Sequence, residues 1–282
     1  MGAAINGKPI ASEYKENIKK RVQDMLKQGR RVPCLNTIIL GNDGGSLYYL
    51  NNVIKVCREL GINCTTHHLE TSVEENELVK LIESLNNDIN IDGIMMFLPL
   101  PKHIDEKKVT SLISYKKDID CLTDVNNGKF YKGETSFVPC TPQSVMHLIK
   151  STGINLSGKH AVVIGRSNIV GKPVAQLLLN EDCTVTICHS KTTDLDKVCK
   201  SADILVSAIG KPGFVSKEFV KDGAIVVDVG TSSVNGKITG DVLYSEVIDK
   251  AAYVTPVPGG VGAVTTTMLI NNVCEAYLRN VY

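Results

Sequence analysis

The 282-residue chain contains no tryptophan and only nine tyrosines and five phenylalanines. A platform of stacked rings for single-stranded nucleic acid is therefore absent. Charge of one sign is lacking too: 31 Lys and Arg stand against 30 Asp and Glu, for a formal net charge of +1. That balance excludes the basic footprint of a nucleic-acid binder and the polybasic face of a peripheral membrane protein. The nine cysteines, Cys34, Cys57, Cys64, Cys121, Cys140, Cys183, Cys188, Cys199 and Cys274, include no C-x-x-C pair. Neither a metal site nor a disulfide framework follows from them, and free thiols buried as small hydrophobes fit a reducing, cytoplasmic setting. No apolar run is long enough to span a bilayer. The opening MGAAINGKPI has neither the apolar stretch of a secretory leader nor the Ser or Thr of a myristoylation signal.

What is present is an alternation of β-rich apolar runs with helical patterns. LNTIIL (35–40), INCTTHHL (62–69) and DGIMMFLPLP (92–101) read as strands buried on both faces. The helical stretches around them are EYKENIKKRVQDMLKQG, SLYYLNNVIKVCRELG and VEENELVKLIESLNN. A turn-rich polar region follows, at about 115–140, and PCTPQSVMHLIKSTG then opens a helix with Thr141 as N-cap and Pro142 at its first position. A second series runs HAVVIG, TVTICHS, ADILVSAIG and AIVVDVG, and the chain ends in TTTMLINNVCEAYLRN, patterned as an amphipathic helix. The expected fold class is α/β: two α/β domains flanking a cleft, the second a Rossmann-like doubly wound parallel sheet. The expected boundaries are 1–139 plus a C-terminal helix 264–282 for the first domain and 140–263 for the second.

HAVVIGRSNIVGKPVAQLLL (160–179) is a buried strand, a glycine turn and a helix. Gly165 and Gly171 bracket the turn, with Arg166 and Ser167 inside it, and amides at a helix N-terminus can receive a pyrophosphate. The spacing is G-x-S-x-x-x-G rather than G-x-G-x-x-G, so the motif alone is weak. The next strand ends His189, Ser190, Lys191, without the acid that holds a ribose 2′-hydroxyl in NAD sites. Ser190 can donate to a 2′-phosphate, and Arg166 and Lys191 can neutralise it, which favours NADP over NAD.

GRSNIVGKP, CHSKT and PVPGGVG, in that order, together with DGIMMFLPLP and KKDIDCLTDVNNGKF, resemble the methylenetetrahydrofolate dehydrogenase/cyclohydrolase (FolD) family nearly end to end. The resemblance implies a cytoplasmic homodimer in one-carbon metabolism. It implies oxidation of 5,10-methylenetetrahydrofolate with NADP and hydrolysis of the methenyl product. It implies that Tyr49 packs against the aminobenzoyl ring and that Asp120 accepts from the pterin. Leu98, Pro99, Pro258, Gly259, Gly260 and Val261 would also line the folate, and Gly165, Arg166, Ser167, His189, Ser190 and Thr231 the cofactor.

Two positions depart from the family pattern together. The family helix reads S-x-x-Y-x-x-x-K-x-K-x-C, and here Ser46, Tyr49, Val53, Lys55 and Cys57 align without a gap, so the catalytic lysine position is Val53. The family's V-Q-L-P-L-P is MFLPLP, so the glutamine position is Phe97. Lys55 lies roughly 240° around a helix from Tyr49 and is no substitute. Smaller departures are Cys121 and Ser144 at family glycines and Ala263 at a family proline. Hydride transfer needs mainly positioning. Hydrolysis gains roughly 10²–10⁴-fold from a side chain that moves a proton, which Val and Phe cannot do. The expectation is a dehydrogenase with weak or absent cyclohydrolase. A fully bifunctional enzyme and a non-catalytic folate- or nucleotide-binding relative are the alternatives.

Overall fold

The computed structural model describes residues 2–234 and 236–281. Along the chain run β1 (Ala3–Ala4), α1 (Gly7–Lys27), β2 (Cys34–Leu40), α2 (Gly44–Leu60), β3 (Asn63–Leu69), α3 (Glu75–Asn87) and β4 (Gly93–Met96). Next come α4 (Glu106–Ser111), α5 (Asp124–Tyr131), α6 (Cys140–Lys150), β5 (His160–Ile164), α7 (Gly171–Asn180), β6 (Thr184–Cys188), α8 (Leu195–Lys200) and β7 (Ile204–Ser207). The last are β8 (Ile225–Asp228), β9 (Ser232–Val234), β10 (Lys237–Thr239), α9 (Tyr244–Val247), β11 (Tyr253–Val254) and α10 (Val261–Val281). Tyr282, the end of the expected C-terminal segment, lies outside the described residues.

The chain divides into two compact units: Glu13–Val138 with Thr266–Tyr282, and Met1–Ser12 with Pro139–Thr265. The sequence reading grouped residues 1–12 with the first series of strands. In the structure Ala3 and Ala4 pair in parallel with Tyr253 and Val254, which adds β1 to the second sheet.

In the unit of Glu13–Val138 the sheet is parallel, in the order β3-β2-β4. Ile38, Ile94 and Met96 pack against Leu78, Ile82 and Val109 of α3 and α4. The expectation of strands buried on both faces holds for β2 and β4 but not for β3, which is the sheet edge and alternates between exposed and half-buried residues. The DGIMMFLPLP strand is also shorter than read. It ends at Met96, and after Phe97 donates to the Ile38 carbonyl (3.0 Å) the chain turns through a cis Leu98–Pro99 bond. Pro99 and Pro101 have no N–H with which to extend the ladder. The turn-rich region contains a helix, α5, capped by Thr123.

In the other unit the sheet order is β1-β11-β8-β7-β5-β6, with every pairing parallel. From β5 the chain steps outward to β6 and then back across to β7, so the topological switch point lies between β5 and β7. Val162, Ile164, Leu205, Val226, Val242 and Val254 are among the residues that form the core. Helix α6 begins at Cys140 with Pro139 as N-cap, not at Thr141. Pro142 then sits at its third position, where its missing N–H is still one that no helical carbonyl would accept. Helix α10 is not amphipathic: from Val264 to Tyr277 each residue is buried or half-buried. The buried Asn272 amide donates to the carbonyls of Ile119 (2.8 Å) and Val138 (3.2 Å), so a polar residue that reads as a surface position is an internal tie.

Candidate functional site

Helix α2 is fixed at both ends by its own sequence. The Asp43 carboxylate accepts from the Ser46 amide and hydroxyl, both at 2.9 Å. Gly61 at the other end takes a left-handed φ of 73° and closes the last turn. Between them the apolar residues Leu50, Val53, Val56, Cys57 and Leu60 form the buried face. Val53 is 0% exposed, whereas Lys55, two residues on, is in solvent. Asn52 donates to the Thr266 hydroxyl at 2.8 Å and holds this turn to α10.

Phe97, 8% exposed, follows β4 directly. The Tyr49 ring meets it edge to face, with centroids 6.0 Å apart and planes at 68°. The two rings are therefore brought together, and Val53 is buried one helical turn along α2 from Tyr49. Leu98 is half-buried and Pro99 exposed on the turn that follows.

Asp120 is half-buried on the loop after Asp118. That loop is organised by the buried Asp118 carboxylate, which accepts from the Leu122 amide (2.7 Å), the Thr123 amide (2.9 Å) and hydroxyl (2.7 Å), and the Asn126 side chain (2.9 Å). Ile94 bridges in parallel to Asp118, so the loop runs beside β4. Cys121, at the family glycine position, has φ of 58°, a left-handed conformation that glycine adopts without strain and cysteine does not. Burial, with the charges of Asp118 and Asp120 adding to it, pushes its thiol pKa up. Ser144, at the other family glycine, is buried and donates to the Cys140 carbonyl (2.8 Å) within α6.

In the second unit Gly165 ends β5 with φ of 122°, and a Cβ there would collide with the Ala208 carbonyl oxygen. A Cβ on Gly171 would in turn meet the Gly165 carbonyl. Both glycines are demanded by close backbone approach. The Ser167 hydroxyl accepts from the amides of Val170 (3.2 Å) and Gly171 (3.3 Å) and so tightens the turn that leads into α7. Arg166 is exposed. The Gly165 amide donates to the Cys188 carbonyl at 2.9 Å, which sets the second turn, His189–Thr192, beside the first. There the His189 amide donates to the Thr192 hydroxyl at 2.9 Å, and Ser190 and Lys191 are exposed. Thr231 is exposed further along the same sheet end, after β8.

The PVPGGVG turn follows β11 through a cis Val257–Pro258 bond. Pro258 is exposed and Val261 opens α10. Gly259 has φ of 111° and its carbonyl accepts from the Gly7 amide at 2.8 Å. A Cβ on Gly260 would crowd the Pro256 carbonyl at 2.6 Å and Thr255 at 2.9 Å.

Sequence reasoning passed over two acids. Asp228 and Asp241 are buried in the second unit and hold the loops after β7 and β8. The available signal was an aspartate inside the otherwise apolar AIVVDVG.

A doubly wound parallel sheet with a bare glycine turn at its strand ends, joined to a second α/β unit, defines a nucleotide-binding α/β protein of two units. Two family models match successive parts of the chain, the second beginning where the second unit's main segment does, at residue 139. "Tetrahydrofolate dehydrogenase/cyclohydrolase, catalytic domain" matches residues 5–120, and "Tetrahydrofolate dehydrogenase/cyclohydrolase, NAD(P)-binding domain" matches residues 139–281. The chain belongs to the tetrahydrofolate dehydrogenase/cyclohydrolase family. It is 62% identical over 276 residues to the "Bifunctional protein FolD" of Clostridium acetobutylicum, covering 98% of this chain and 99% of that protein. The bifunctional FolD methylenetetrahydrofolate dehydrogenase/cyclohydrolase of Campylobacter jejuni superposes with a TM-score of 0.96 at 40% identity, over 99% of both chains. The Trypanosoma brucei methylenetetrahydrofolate dehydrogenase-cyclohydrolase, solved with NADP cofactor and an inhibitor, gives 0.95 at 38% identity, over 99% of this chain and 98% of that one.

Proposed function

We propose that the protein is an NADP-dependent 5,10-methylenetetrahydrofolate dehydrogenase whose methenyltetrahydrofolate cyclohydrolase activity is weak or absent. The observation that carries the second half is the apolar burial of Val53 and Phe97, the positions where the family pattern has Lys and Gln. Val53 is fully buried and Phe97 nearly so, with a tyrosine ring against it, and the nearest lysine in the helix, Lys55, is on the solvent side. Oxidation of the methylene bridge releases a hydride driven by a folate nitrogen lone pair, so it asks the protein for position rather than for an acid or base. Hydrolysis asks for a group that moves a proton, and neither Val53 nor Phe97 has one.

Tyr49 and Asp120 remain for folate, with Leu98, Pro99 and Pro258–Val261 as further substrate contacts. Gly165, Arg166, Ser167, His189, Ser190 and Thr231 take NADP. The acid-free His189–Lys191 turn beside Arg166 leaves no carboxylate to compete with a 2′-phosphate, and the NADP complex of the trypanosomal relative supports the same cofactor. The reading carries with it a cytoplasmic homodimer, to which the free state of all nine cysteines is suited.

The names of the relatives favour a second reading in which both activities are present. A paired assay on one preparation separates the two. Methylenetetrahydrofolate with NADP should yield methenyltetrahydrofolate that accumulates, faster than with NAD at matched concentrations. Methenyltetrahydrofolate added directly should decay little faster than in buffer. Rapid hydrolysis would establish the bifunctional reading, and folate binding without either reaction would make the protein a non-catalytic relative.

A further inference from the structure

Asp228 ends β8 and Asp241 follows β10, at 2% and 0% exposure. Each is surrounded by neutral donors. The Asp241 carboxylate accepts from the Ser207 hydroxyl (2.9 Å) and from the amides of Ile209 (2.9 Å) and Lys211 (2.7 Å). The Asp228 carboxylate accepts from the amides of Gly230, Asp241 and Val242, each at 2.9 Å. Asp228 thus holds the backbone of Asp241, and Asp241 holds the loop that leaves β7. The packing leaves no slack: a Cβ on Gly230 would strike the Asp241 carboxylate, and one on Gly240 would strike that of Asp228.

Two buried carboxylates in one small region are a poor device for stability alone, because each is taken out of water and must draw its hydrogen bonds from the protein. What they arrange is specific. The β7 loop stands at the switch point of the sheet, where doubly wound folds take their ligands. Its Ala208 carbonyl presses on Gly165 of the proposed phosphate turn. The loop is also tied to the strand that follows Thr231, since the Ser232 hydroxyl donates to the Gly210 carbonyl at 3.2 Å. The Asp228 amide donates to the Thr255 hydroxyl at 2.8 Å, which continues the network to the base of the Pro-Gly-Gly turn.

We propose that Asp241, itself held by Asp228, is a positioning residue for the dinucleotide: it sets the Ala208–Lys211 loop against the Gly165 turn and so shapes the crevice between β5 and β7. The inference rests on the NADP reading above.

The test is steady-state kinetics of the whole protein with NADP varied at saturating methylenetetrahydrofolate, then with folate varied at saturating NADP. Asp241→Asn places an amide donor against backbone donors and should raise the KM for NADP on the order of tenfold or more. Ser207→Ala removes one of the three donors and should raise it roughly threefold. In both variants kcat and the KM for folate should stay near wild type. A purely structural role gives a different pattern, since a fraction of unfolded enzyme lowers kcat and leaves KM alone. Unchanged KM for NADP in both folded variants, or a fall in kcat alone, overturns the inference. If Asp241→Asn does not fold, Ser207→Ala decides on the same parameters. Wild-type protein that neither binds NADP nor turns over overturns the functional reading itself, a result distinct from variants that behave like an active wild type.

Discussion

A lysine at position 53 would enter a space that Val53 fills with no exposure to solvent, and the position of the family's glutamine is Phe97. The ammonium would be desolvated without a partner, at a cost of about 3 kcal/mol. Val53→Lys should therefore lose about that much stability in urea unfolding and recover little hydrolysis. Val53→Lys with Phe97→Gln supplies an amide oxygen for the ammonium. The double variant should hydrolyse methenyltetrahydrofolate at least about tenfold faster than Val53→Lys, more than the two single changes predict when added. Equal rates for the double variant and Val53→Lys would show that the lysine needs no glutamine here. Val53 was legible in the sequence because the Ser46–Cys57 pattern aligns without a gap, and Phe97 because MFLPLP stands against V-Q-L-P-L-P. Their burial was not, since a helix pattern gives the face of a residue and not what covers it.

The elements were legible where burial dictates them. β5, β7 and β8 are apolar but for one end residue each, β2 is apolar around Asn36 and Thr37, and no solvent-facing alternation competes with that reading. Polar edges and internal polar ties were not legible. β3 takes its exposed pattern from its place in the sheet, α10 hides Asn272 at a carbonyl pair, and Asp118 reads as a plain turn residue. Asp118 illustrates what such a residue does. Asp118→Ala would take the acceptor from the Leu122 amide and from the buried Thr123 amide and hydroxyl, and one acceptor from the Asn126 side chain, and the loop that carries Asp120 would lose its anchor. The expected loss is about 3 kcal/mol of stability, with a raised KM for folate and an unchanged KM for NADP. A stability change below about 1 kcal/mol in urea unfolding would mean that water or the backbone replaces the carboxylate.

For the molecule as a whole, the response of stability to pH is where the buried Asp228 and the half-buried Asp203 oppose each other. Asp203 is held below the usual carboxylate range, first by the Lys221 ammonium and then by the His160 amide. It contributes stability that is present at neutral pH and lost as pH falls through its folded value. Asp228 works the other way. Burial lifts it to about 6, against the lowering effect of the Val242 and Asp241 amides and with a further push from the Asp241 charge. Between the unfolded value of 3.8 and about 6 the native chain holds a proton there that the unfolded chain has released, so its contribution to stability falls as pH rises and levels off above 6. Asn at position 228 has the same shape and does not titrate, so the difference between wild type and Asp228→Asn isolates this one group from Asp203 and the rest. The variant should be less stable than wild type at both pH values, because an amide nitrogen or oxygen cannot satisfy three N–H donors as a carboxylate does. Its deficit should nevertheless be smaller at pH 7.5 than at pH 5, by about 1 kcal/mol, since wild type alone pays for ionising the buried acid over that interval. Urea unfolding of both proteins at the two pH values checks this. A deficit that is the same at both pH values would mean that the three amides outweigh desolvation and that Asp228 is ionised throughout.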